Sequence, residues 1–283
     1  MSEKIGLVIC GNSGVDYMKL DYPVKMIRST LNVNGEEYED YVDIQAKDFY
    51  NMVVENPNID VSTSQTSTGK IASVYEELKE EGYTDVIVIV ISSKLSGTYQ
   101  GAILAKELVR DINVYVFDSR SVSYGQAYLA LEAIRLIKEG KKTVEIINHL
   151  ERIRDRIYIY VLVDTLKFLV KNGRLSATSG FIGTLLKIKP LLHIQKDGSL
   201  VPYEKIRTRQ KAQSRLIEII EEKIREKNVI LFIAYTNNLD NAEQLKAELQ
   251  RIRKDVSVEL VPLTPVVGAH AGPGTLGIGY IEI

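Results

Sequence analysis

A single cysteine among 283 residues, Cys10, excludes an internal disulfide framework and fits a reducing compartment. It closes the apolar run 4–10, so a buried structural thiol is expected there and not a reactive one. Three histidines, His149, His193 and His270, are scattered without metal-ligand spacing, which together with one cysteine speaks against the usual zinc sites. Charge of one sign is not in excess either. Lys and Arg number 36 against 37 Asp and Glu, a net charge of -1, which argues against a global attraction to nucleic acid or a membrane surface. Neither a nucleic-acid recognition motif nor a basic stripe is present. No apolar run approaches the ~20 residues that span a bilayer, and Met1–Ile9 holds no apolar core of signal-peptide length. The expectation is a cytoplasmic protein with no transmembrane segment. Internal repeats and low-complexity stretches are also absent. The turn Gly11-Asn12-Ser13-Gly14 can approach a ligand closely, but it is no GxGxxG fingerprint and implies no dinucleotide.

What is present is the composition of an ordinary globular protein, 45% hydrophobic and 26% charged, at a length that suits two domains. The pattern places the boundary near residue 155, giving units 1–155 and 156–283. Apolar β-branched runs at 4–10, 85–90 and 113–117 alternate with helical periodicity at 47–55, 70–78, 102–108 and 126–139, which implies a mainly parallel sheet flanked by helices. A further strand is expected over 24–32, with Asn34-Gly35 turning it into a hairpin arm at 36–42. Thr143 is expected to cap a helix over 143–156. The second unit reads as a strand at 157–163, a short helix at 166–172, and a helix opened by Gly173-Arg174-Leu175-Ser176 that runs into Pro190. A hairpin then turns on Asp197-Gly198, followed by a long helix over 205–227, a strand at 229–236, a helix at 239–253 and extended chain at 256–262.

Two hydroxyl-dense stretches carry the chemistry. Ser92-Ser93-Lys94-Leu95-Ser96-Gly97-Thr98 joins the strand at 85–90 to a helix, and Ser62-Thr63-Ser64-Gln65-Thr66-Ser67-Thr68 leads into the next helical segment as a polar loop. In an open α/β sheet ligands bind at the C-terminal strand edge, where helix N-termini favour an anion. Ser96 either caps its helix or faces a ligand, and the residues alone leave both open. Thr66 or Ser67 can cap the other helix, which frees Thr63 and Ser64 to face a ligand. The glycine-dense segment 266–277 surrounds His270 and runs into an alternating strand pattern at 278–283, so an ordered turn is expected. His270 there is either a hydrogen-bonded structural residue or part of a site. No carboxylate pair for acid–base work and no nucleophile–base pair is recognisable from spacing.

Taken together, Ser62-Thr63-Ser64-Gln65, Leu95-Ser96-Gly97-Thr98-Tyr99-Gln100, Gly173-Arg174-Leu175-Ser176, Ile188-Lys189-Pro190-Leu191-Leu192 and His270-Ala271-Gly272-Pro273-Gly274 resemble, in order and over essentially the whole chain, the motifs of DegV-family proteins. The resemblance implies an α/β fold of two domains with a ligand between them. It implies binding of a long-chain fatty acid without turnover, as in the binding subunit of bacterial fatty acid kinase, which holds the acid for a separate ATP-dependent kinase subunit. No other cofactor and no metal is implied. Thr63 and Ser96 then correspond to hydroxyls gripping the carboxylate, with Ser64, Gly97 and Thr98 in the same two motifs. His270 lies beside the carboxylate, and Arg174 near that end of the site. Two residues depart from the family pattern: Asn12 stands where an Asp precedes Ser13, losing a carboxylate, and Thr66 stands where proline gives a rigid turn. Apolar helix 181–188 is expected as a lid over the tail. Arg207 and Arg209 are expected to meet the kinase partner or the acyl-phosphate. The competing reading is an enzyme acting on a small phosphorylated or acyl substrate at the same edge, since fold does not fix function.

Overall fold

The computed structural model describes residues 3–175 and 189–283. Strand β1 (Ile5–Cys10) is buried along its whole length, as an Ile/Leu/Val run must be when both sheet faces are covered. Two single 3-10 turns follow, Gly11–Ser13 and Val15–Tyr17, hinged on Gly14 at φ 76°. The single strand expected over 24–32 is in fact two, β2 (Lys25–Ile27) and β3 (Thr30–Val33). β2 pairs in parallel with β1, whereas β3 pairs antiparallel with β4 (Glu36–Glu39), so the chain changes sheet between them. Arg28 marks the break, its guanidinium turned onto Asp16 in a two-pronged ion pair with both contacts at 2.6 Å. Asn34 and Gly35 take the positive φ values, 52° and 91°, that a tight hairpin turn demands.

After α1 (Ala46–Glu55) the hydroxyl-dense stretch is not the loop it reads as. Val61–Ser64 forms β5, completing a three-stranded sheet in the order β4-β3-β5. Ser67 caps α2 (Thr68–Glu80), its Oγ accepting from Lys70 N–H at 3.3 Å. The chain then alternates through β6 (Asp85–Val90), α3 (Thr98–Lys106), β7 (Asn113–Asp118), α4 (Tyr124–Lys138) and α5 (Thr143–Arg154). β2-β1-β6-β7 form an all-parallel sheet. Thr143 is not the cap of α5 but its first residue; its N–H and hydroxyl both donate to the Glu3 carboxylate, at 2.7 and 2.9 Å.

The chain continues through β8 (Ile157–Leu162), α6 (Lys167–Lys171), β9 (Lys189–Ile194), β10 (Leu200–Ile206) and α7 (Arg209–Ile224). It ends with β11 (Val229–Tyr235), α8 (Leu239–Ile252), β12 (Val258–Pro262), α9 (Pro265–Ala271) and β13 (Leu276–Glu282). These strands form a mixed six-stranded sheet, β10-β9-β8-β13-β11-β12, with β13 antiparallel to both neighbours. Three expectations are corrected in this part. The helix placed over 205–227 starts only at Arg209, because Lys205 and Ile206 still pair with β9 and Thr208 caps the helix at Lys211 N–H. Pro190, expected to stop a helix, lies within β9 paired to Lys205. His270 sits in a short helix, α9, and not in a turn. Ser176 and the lid expected at 181–188 lie outside the described residues.

One face of the six-stranded sheet, including Leu162, Leu231, Ile233 and Ile278, packs on α7 and α8. The opposite face presents Ile159, Phe232 and Ile281 to α4 and to Leu7, Ile9 and Ile89 of the parallel sheet. The two sheets therefore share one apolar core.

Candidate functional site

Turns beyond β1, β6 and β7 converge on a cavity against the second face of the six-stranded sheet. Asn12, Ser96 and Ser123 reach it from those three turns, and Thr63, Ser64 and Gln65 from the end of β5. Arg174 follows α6, and His270 ends α9. The empty space between the lining atoms, opening included, is ≈ 1030 Å³, at the upper end for small-molecule sites. Thr63 and His270, and Arg174 beside Ser96, form a polar group in it. Much of the remaining wall is aliphatic, with Val161, Val163, Ile194, Leu200 and Ala234 from the sheet and Val266 and Val267 from α9.

Thr63 and His270, 207 positions apart in the chain, are in hydrogen-bond contact, Oγ1 to Nε2 at 2.8 Å. The helix that carries His270 is fixed by two side chains, Asp40 and Tyr50. Asp40, buried beneath it, accepts from Val266 N–H at 3.3 Å. Tyr50 donates its hydroxyl to Leu263 O at 3.0 Å. Gly268 lets the tyrosine lie directly against the helix, since a methyl at 268 would sit 2.1 Å from Tyr50 Oη. Burial first and the nearby Arg174 charge second push the His270 imidazole down to about 4, so it is neutral near pH 7. Its Nδ1 is buried and meets no partner among the described residues. Among the described residues no third group orients the His270 ring as a base. Burial also pushes the Asp40 carboxyl up, to about 7.

Arg174 donates from Nε to Leu95 O at 3.1 Å and from NH1 to Asn172 O at 2.6 Å. These carbonyls fix the guanidinium against the wall but do not neutralise it, and among the described residues no carboxylate pairs with it. Ser96 does cap-like work: its Oγ accepts from Thr98 N–H at 3.2 Å and shares a hydrogen bond with Thr98 Oγ1 at 2.9 Å. With the Thr98 hydroxyl as donor in that bond, the Ser96 proton is free for a third partner.

Of the residues singled out from sequence, Thr63, Ser64, Ser96, Arg174 and His270 line one cavity. Gly97 and Thr98 stand behind Ser96. Thr98 is fully buried, and Gly97 is the point where Gln65 packs on the Ser96 turn, a methyl there falling 2.2 Å from Gln65 Oε1. Arg207 precedes the cap of α7 and is exposed, while Arg209, first in the helix, forms an ion pair with Asp164. Of the two departures, Asn12 lines the cavity and accepts from Cys10 Sγ at 2.7 Å, and Thr66 donates to Arg28 O at 2.7 Å, tying the end of β5 to the sheet-changing link. The thiol is buried and pushed up to about 11, as inert as expected. Ser123 and Ser29, also on the wall, went unseen in the sequence. The first is held at φ 56°, which no local pattern announces.

Parallel strands ending in donor-bearing turns, and a mixed sheet flooring a largely apolar cavity, define an α/β protein built around an amphipathic site. The chain belongs to the DegV family: the model described as "Uncharacterised protein, DegV family" matches residues 13–282. A DegV domain-containing protein of Clostridium acetobutylicum is 35% identical over 278 residues, 98% of each chain. Among solved structures, DegV of Bacillus subtilis, described as a fatty acid binding protein, superposes with TM-score 0.91 at 34% identity over 100% of both chains. A fatty acid binding DegV family protein of Streptococcus agalactiae gives 0.90 at 28% identity over 99% of both. No helix among the described residues is long and apolar enough to cross a membrane.

Proposed function

We propose that this protein binds a long-chain fatty acid between its N-terminal (1–155) and C-terminal (156–283) units and presents it to a separate ATP-dependent kinase. The observation that carries the reading is a single cavity in which Thr63, Ser96, Arg174 and His270 share the space with a largely aliphatic wall. Support comes also from the solved relatives whose descriptions name fatty acid binding. The carboxylate is received by the Thr63 and Ser96 hydroxyls, with Ser64 in the same strand end. With Nε2–H of neutral His270 donating to Thr63 Oγ1, the threonine proton points to the ligand. The Arg174 charge favours the anion without a two-pronged grip, which suits release to a second protein. Burying roughly 15 methylenes at ~0.8 kcal/mol each gives about 12 kcal/mol gross, before ordering costs. Affinity thus comes from the tail and orientation from the head. Arg207 and Arg209, at the start of α7, contact the kinase or the added phosphate.

The test is native mass spectrometry of the purified protein. A fatty acid should co-purify, and Thr63→Ala with Ser96→Ala should weaken its retention. No acid retained, even after addition, overturns the reading, and turnover without a partner protein would make the chain an enzyme. Arg207→Ala with Arg209→Ala should lower kinase-dependent acyl-phosphate formation while leaving acid retention intact.

A further inference from the structure

Resting on the fatty-acid reading, we infer that Phe232 is the length stop of the site and Gly277 the floor of its channel. Strand register places residues of β8, β13 and β11 in rows across the sheet. Val161, Gly277 and Ala234 form one row; Ile159, Gly279 and Phe232 form the next. The rows lie ~6.8 Å apart along the strands. The Thr63–His270 pair is on the Gly277 side, because Thr275, two residues before it, donates its hydroxyl to Ala271 O next to His270. The path from head to tail therefore crosses the Gly277 row first.

The two rows each carry a glycine, with opposite results. Over Gly277 the sheet is bare: a methyl there would meet nothing nearer than 3.7 Å, and its neighbour Ala234 is small. This leaves a trough in the middle of the sheet. Over Gly279 the space is taken, since a methyl there would fall 2.0 Å from Cζ of Phe232. The end of the ring lies over Gly279 and occupies that space. Gly277 accordingly faces the cavity and Gly279 does not. Behind the ring stands Tyr124 of α4, centroids 5.1 Å apart, so Phe232 is backed by the shared core and cannot swing away without disturbing it. The glycine at 279 lets the stop lie down; the glycine at 277 keeps the channel open up to it.

The experiment offers delipidated protein an equimolar ladder of saturated fatty acids of increasing length and reads the retained acids by native mass spectrometry. Wild type should show a maximum at one length. Phe232→Ala and the milder Phe232→Leu should move that maximum to longer acids, with the ratio of the longer to the original acid rising about tenfold, the discrimination a single methylene misfit gives in an apolar pocket. Phe232→Leu keeps an apolar group in the core and guards against a variant that fails to fold. Gly277→Ala, whose added methyl meets nothing nearer than 3.7 Å, should lower retention of all long acids by about tenfold at unchanged melting temperature. Acid retained by wild type, with an unmoved maximum in both folded Phe232 variants, overturns the stop alone. A wild type that retains no acid of any length overturns the fatty-acid reading, and the stop with it.

Discussion

In the four-stranded parallel sheet, β1 and β6 are buried along their whole length, and only the turns beyond their C-terminal ends reach the cavity. In the six-stranded sheet the cavity lies against a face, so alternate residues of β8, β11 and β13 touch it while their neighbours pack on α7 and α8. The difference follows from strand direction. Parallel strands end together at one edge, where turns and helix N-termini present donors, whereas a mixed sheet offers a continuous apolar surface. In the proposed function one region supplies the direction of binding and the other the affinity.

The contrast can be broken or sharpened by experiment. Ile89 in β6 is fully buried and does not reach the cavity. Ile89→Ala should cost about 2–5 kcal/mol in denaturant unfolding, with the lengths of retained acids unchanged. A shift in those lengths would mean that the parallel sheet also shapes the tail site.

Protonation separates the supports of α9. His270 has a folded-state pKa depressed to about 4, so the unfolded chain binds the extra proton between pH 4 and 6.5 and stability falls as pH drops through that window. Asp40 is raised to about 7, so the folded state holds the extra proton from about pH 4 to 7 and stability falls as pH rises. The two oppose each other. Delipidated wild type should therefore unfold with little pH dependence between 4.5 and 6.5. Asp40→Asn should expose a loss on acidification, and His270→Gln a loss on raising the pH, each on the order of 3 kcal/mol across its window. Equal slopes in all three proteins would contradict the assignment.

At the Thr63–His270 group, Thr63→Ala and Ser96→Ala should each weaken retention of the acid by about 1.5–3 kcal/mol, the worth of one hydrogen bond to a charged group, read by isothermal titration. Ser67, a few residues on, caps α2 and does not line the cavity. Ser67→Ala should cost about 1 kcal/mol of stability and leave affinity untouched. An affinity change of equal size in Ser67→Ala would show that the hydroxyls act by holding the turns and not by meeting the ligand.

Legibility followed the same division. The turn after β6 and the segment before α2 could be read because hydroxyls at strand-to-helix junctions have a local meaning, and Asn34-Gly35 and Asp197-Gly198 announced their hairpins. Gly277 and Gly279 could not be told apart in sequence; both are glycines in an alternating strand, and only the ring of Phe232, 47 positions before Gly279, makes one a floor and the other a bed. The strand character of Thr63 was hidden for a similar reason. Its ladder partner is Leu31, more than thirty residues away, and Ser and Thr in a row carry no apolar alternation. The start of α7 was misplaced because Lys205 and Ile206 have helical propensity that pairing with β9 overrides.

By itself the sequence determined the alternation of strands and helices, the mainly parallel character of the first sheet, the family, and which hydroxyls stand at strand-to-helix junctions, because these are read from residues close along the chain. Tertiary structure alone decided that Thr63 touches His270, that Arg174 is fixed by Leu95 O, and that Phe232 closes the trough over Gly279. Each joins side chains dozens to hundreds of residues apart, and such contacts exist only once two sheets have buried a common core.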